Sequence, residues 1–150
     1  SNKFIMIGNG TNIKSMAYVG NFVAFLENCI TENINFGIYN YVDTPDMTVN
    51  DIVKFARFKI KGKNNVGARL PKWFGLILAK LADLFSKITG IKLPISTIRV
   101  KKFTTSSAFT SSISELAGFT REFTLAEGLE RTIDREFIFL DENREVFHTE

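Results

Sequence analysis

Helix boundaries written into the sequence restrict this chain most. Thr48, with Asp51 three residues on, forms a capping-box pattern. Val49, Ile52, Val53, Ala56 and Ile60 follow at helical spacing, and Gly62 ends the run. Pro71 suits the first turn of a long helix reaching to about Ile88 and stopped by Gly90. Thr124 and Glu127 repeat the capping pattern ahead of Leu125, Leu129, Ile133 and Phe137, an apolar stripe at every fourth residue. Asn21 reads as the cap of a further helix, with Phe22, Val23, Phe25, Leu26, Cys29 and Ile30 on its inner side. Residues 112–117 read as a short helix closed by Gly118.

Extended segments are few and short. Residues 4–7 form an apolar run ended by the Gly8-Asn9-Gly10 turn. Residues 17–19 read as a second short extended piece, and 66–70 as another before Pro71. Ile38-Tyr39-Asn40-Tyr41-Val42 alternates and is rich in strand formers, so it reads as the clearest strand. Asp43-Thr44-Pro45-Asp46 reads as a turn, and the basic run Ile98-Arg99-Val100-Lys101-Lys102-Phe103 as a strand. The expected class is α/β (α+β for the chain alone), helix-rich with a few short strands.

Composition removes several functions. A chain of 150 residues, 45% hydrophobic, can bury a real core. A net charge of +3 is mild, and the densest basic cluster, Lys54 to Lys63, reads as a solvated helix end rather than a nucleic-acid surface. Cys29 is the only cysteine and His148 the only histidine, so no disulfide and no usual zinc set can form within the chain. That composition fits a reducing cytoplasm. The serines at 107, 111 and 112 lack a positioned base. The stripe Trp73, Leu76, Ile77, Lys80, Leu81, Leu84 reads as core, and with Asp83 its segment is too short and charged to span a membrane. Ser1-Asn2 reads as a leftover ahead of a piece of a longer chain.

The landmarks, taken in order, resemble a known family. They are the glycine turn, Lys14, Tyr18-Val19-Gly20-Asn21, the run from Gly37 to Val42, Met47 to Ile52, Leu70-Pro71, Phe109 to Ser112, Leu116-Ala117-Gly118-Phe119 and Thr124 to Leu129. Together they resemble the C-terminal part of extended short-chain dehydrogenases/reductases, the NAD-dependent epimerases and dehydratases of nucleotide sugars. The resemblance covers most of residues 4–138, taken as a substrate-binding portion; 139–150 is a charged, frayed tail.

The resemblance implies chemistry that these residues do not carry. The family uses a Tyr with a Lys four residues later, the cation lowering the phenol's pKa. Here Tyr18 is followed at that spacing by Phe22, Tyr39 by Asp43 and Tyr41 by Pro45. The glycine turn is no dinucleotide loop either, since Ile13 stands where its third glycine belongs. No catalytic, cofactor or metal residue is therefore expected here, and NAD(P) is expected on a Rossmann domain outside this chain. Lys14 aligns with a basic residue that contacts substrate diphosphate, usually an Arg in an Arg-Asp-Tyr-hydrophobic-His-Val context; Lys supplies the charge without the bidentate fork. Its other reading is an exposed loop lysine. Arg99 falls near a second diphosphate contact, with Lys101 and Lys102 as rivals, and its other reading is a basic edge strand. Arg69 could reach a nucleotide or be a surface residue.

Two functions follow from the resemblance. One is the nucleotide-sugar-binding portion of an NAD-dependent epimerase/dehydratase, inactive alone. The other is a non-catalytic binding or oligomerisation module derived from that family. Self-association through apolar surface is expected, and neither nucleic acid nor membrane is expected as a partner.

Overall fold

The computed structural model describes residues 4–32, 34, 37–91, 93–112 and 119–138. The architecture is mixed α/β, helix-rich with short strands in two small sheets. Strand β1 (Ile5–Ile7) lies parallel to β4 (Ala68–Leu70), with Ile5 beside Ala68 and Ile7 beside Leu70. Strand β2 (Ile13–Met16) runs antiparallel to β3 (Asp43–Thr48), and the register shifts between Lys14 and Met16. Around them pack α1 (Val19–Thr31), α2 (Val49–Lys61), α3 (Lys72–Thr89), α4 (Thr97–Thr104) and α5 (Leu125–Ile133). A π-helical turn, Asp134–Ile138, continues α5. The expected helix at 112–117, the Leu116-Ala117-Gly118 landmark, the tail and His148 fall mainly or wholly outside the described residues.

The boundaries read at Thr48, Gly62, Pro71, Gly90 and Thr124 hold. Thr48 caps α2 by accepting from the Asp51 N–H, and Gly62 closes that helix in the left-handed conformation, φ 65°. Pro71 precedes α3, and Gly90 ends it at φ 73°. Thr124 and Glu127 form a full capping box on α5. The Lys59–Glu130 ion pair joins α2 to α5.

Several expectations are corrected. Residues 38–42 form no strand: Tyr41 packs its ring between Phe22, Phe25 and Phe119, with centroids 5.1–6.2 Å away, while Ile38 is exposed. Aromatic packing, not ladder pairing, put strand formers there. The supposed turn at Asp43 to Asp46 is the start of β3, whose pairing with β2 overrides a poor strand sequence containing Pro45. Residues 98–103 belong to α4, because Ser96 accepts from the Arg99 N–H (3.3 Å) and caps it. The extended piece near 17–19 lies earlier, at β2, and α1 begins at Val19; Asn21 is inside the helix and fully buried, and of the side chains expected on its inner side Phe25 is buried while Phe22, Val23, Leu26 and Ile30 are exposed.

The core is thin. Met6, Phe25, Val49, Ala79, Val100, Leu125 and Ile133 are buried at its centre. The stripe expected as core on α3 turns outward instead, with Trp73 64% and Leu81 58% exposed.

Candidate functional site

A cleft of about 700 Å³ opens beyond the carboxyl ends of the parallel pair β1 and β4. Ligands of α/β folds gather at such strand ends. The Gly8 N–H extends the ladder by donating to the Leu70 carbonyl at 2.9 Å, and Gly8 then turns away at φ 84°. On the other strand Arg69 and Leu70 lead through Pro71 into α3. Ile7, Leu70 and Pro71 give the cleft an apolar wall; Asn9, Asn12, Arg69, Lys72 and Thr104 give it polar groups.

Arg69 is held in place. Its guanidinium donates to the Asn9 carbonyl at 2.7 Å and to the Asn50 side-chain oxygen at 2.9 Å. Asn50 in turn donates to the Asn9 carbonyl at 2.9 Å. Lys72 opens α3, and no side chain caps that helix start. Two cations and an uncapped helix N-terminus favour an anion, and no carboxylate lines the cleft. The apolar wall beside them suits a sugar or ring face. Sequence reasoning named Arg69 but missed Asn9, Asn50 and Lys72. The available signal was Pro71 after a short extended run, which marks a strand entering a helix start.

Lys14 lies on β2, not in a loop. Its ammonium donates to the carbonyls of Lys102 (2.8 Å) and Thr105 (2.7 Å) and to the Ser107 hydroxyl (3.0 Å). All three donors of the ammonium are therefore engaged. Asn12 donates to the Phe103 carbonyl at 2.9 Å, so the two side chains together meet the Lys102, Phe103 and Thr105 carbonyls at the C-terminal end of α4. Arg99 lines a separate hollow with Phe4, Ile5, Pro94 and Phe103, and donates to the Pro94 carbonyl at 3.1 Å. Lys14 lines neither space. Because 98–103 is helical, Arg99 and Lys102, not Arg99 and Lys101, share the closer face.

A second polar constellation is internal. Asp43, fully buried, accepts from the Tyr18 N–H (2.7 Å), the Asn21 side-chain amide (3.1 Å) and the Tyr41 hydroxyl (2.9 Å). Asn21 also pairs with the backbone of Phe123, donating to its carbonyl at 2.8 Å and accepting from its N–H at 3.1 Å. Burial, aided by the bond to Asp43, pushes the Tyr41 phenol well above its ordinary range. That is the wrong direction for a tyrosinate base, so this network binds α1, β3 and the approach to α5 together. Among the described residues no group of three His, Cys, Asp or Glu side chains could hold a metal.

No family model matches the chain. A curated relative from Escherichia coli O157:H7, N-acetyl-α-D-glucosaminyl-diphospho-ditrans,octacis-undecaprenol 4-epimerase, is 39% identical over 150 residues, 99% of this chain. The chain spans about half that relative's length, 45%. The ordered landmarks and this match across the whole chain place it in the NAD-dependent epimerase/dehydratase family.

Proposed function

We propose that the chain supplies the substrate-binding part of an epimerase acting on a glycosyl diphosphate, the sugar moiety carried on either a nucleotide or a polyprenol. The observation that carries this reading is the 39% identity to an epimerase whose substrate is a sugar joined to a polyprenol through a diphosphate. The cleft supports it: Arg69 and Lys72 offer charge to a diphosphate, and Ile7, Leu70 and Pro71 offer an apolar wall. Hydride chemistry belongs to a nicotinamide cofactor and a Tyr/Lys pair held elsewhere in the enzyme. Arg99, in the separate hollow, is the rival diphosphate contact to Arg69 and Lys72. Lys14 acts indirectly, holding residues 102–107 against β2.

Calorimetric titration of the full-length protein with UDP-N-acetylglucosamine, and with N-acetylglucosaminyl-diphospho-polyprenol in detergent, tests the assignment. Arg69→Ala is expected to weaken binding of one or both by about tenfold or more, the scale of a charge-assisted hydrogen bond. Lys14→Ala is expected to lower stability more than affinity. Unchanged affinity in Arg69→Ala and Lys72→Ala, with loss in Arg99→Ala, would move the diphosphate to the other hollow.

A further inference from the structure

The α3 helix packs the wrong way round for a buried helix. Gly75, Ala79, Ala82 and Ser86 face inward, and a Cβ on Gly75 would sit 2.6 Å from the Ile7 side chain. Small residues let the helix approach β1 closely and leave no room inside for bulk. The bulky residues therefore point out. Trp73, Phe74, Ile77, Leu78, Leu81, Leu84, Phe85 and Ile88 are all exposed. At 100° per residue they fall within one continuous arc of about 140°.

Charge borders this arc on one side. Lys80 and Lys87, both exposed, fall just beyond its Trp73–Leu84 edge. The one acid on the helix, Asp83, is committed elsewhere: its carboxylate accepts from the Thr97 N–H at 3.0 Å, and hydrogen bonding to Thr97 holds its pKa down. The adjoining α4 adds exposed Lys101 and Lys102. A second copy of this face would bring more cations and no counter-charge. An anionic bilayer surface offers both an apolar boundary and negative headgroups.

We propose that the outer face of α3 docks on an anionic lipid surface, its apolar arc at the acyl boundary and Lys80 and Lys87 among the headgroups. The helix lies on the bilayer and does not cross it: no helix among the described residues is long and apolar enough to span a membrane. Pro71 and Lys72, at the start of α3, also line the cleft. Docking would thus hold the cleft mouth near headgroup level. The inference stands on the α3 face and does not depend on which glycosyl diphosphate the cleft takes.

Co-sedimentation of the full-length protein with lipid vesicles tests it. Binding is expected on phosphatidylcholine vesicles containing about 30% phosphatidylglycerol, weakening as salt is raised. Ile77→Glu/Leu81→Glu should reduce partitioning by about tenfold or more, and Lys54→Glu, the same charge change on exposed α2, should leave most of it. Lys80→Gln/Lys87→Gln should weaken binding to anionic vesicles without altering the unfolding midpoint, which keeps the test valid if the double Glu variant misfolds. Absence of vesicle binding overturns the proposal, as does binding indifferent to both double variants. So does a dimer that Ile77→Glu/Leu81→Glu splits in sedimentation with no change on vesicles, which would show a second copy covering the face.

Discussion

Single residues carry more here than their sequence context announces. Asp43 sits before Thr44-Pro45 and has the look of a turn residue, yet it receives three donors in a fully buried position. Asp43→Asn turns one acceptor into a donor facing donors. It should destabilise the fold by about 1–3 kcal/mol, read as a lower urea midpoint. Gly128 shows the steric counterpart. A Cβ there would lie 2.5 Å from Tyr18, whose own N–H is held by Asp43. Gly128→Ala should therefore disturb the Asp43 network from a distance. Double-mutant cycles of Gly128→Ala with Asp43→Asn should be non-additive, and additive costs would disprove the link.

Elements differ in how openly the sequence declares them. α2, α3 and α5 were legible because their signals are local: a hydroxyl that meets an N–H three residues on, and a glycine free to turn left-handed. β3 and α4 were not, because their causes are remote. β3 exists through a partner strand some thirty residues away, and α4 through Ser96 together with the Asn12 and Lys14 side chains that donate to its Phe103 and Lys102 carbonyls. The cleft was legible only as Arg69 before a proline; Asn50 enters through the fold. α5 gives a test at this scale. Thr124→Ala should cost about 1 kcal/mol, the usual worth of such a cap. Hydrogen bonds from Thr124 hold the Glu127 carboxyl below its ordinary pKa. A depressed folded-state pKa stabilises above the ordinary carboxylate range, and the benefit fades as pH falls through it. Acid titration of stability should therefore be shallower in Thr124→Ala than in the parent.

At the scale of the molecule, the chain encloses little and displays much. Small residues bring α3 close to β1 and turn its bulk outward, so its apolar surface serves something other than its own core. Inside, the elements are tied by clasps that join early residues to late ones. Lys14 grips residues 102–107, and Asn21 exchanges two hydrogen bonds with Phe123, 102 positions along. That last clasp governs time as well as shape. During synthesis Asn21 leaves the ribosome long before Phe123 does, and until then its side chain has Asp43 but not the Phe123 backbone to pair with. The early strands and α1 must wait, loosely collapsed, for the final third of the chain to lock them, and at 5–20 residues per second that wait lasts on the order of ten seconds.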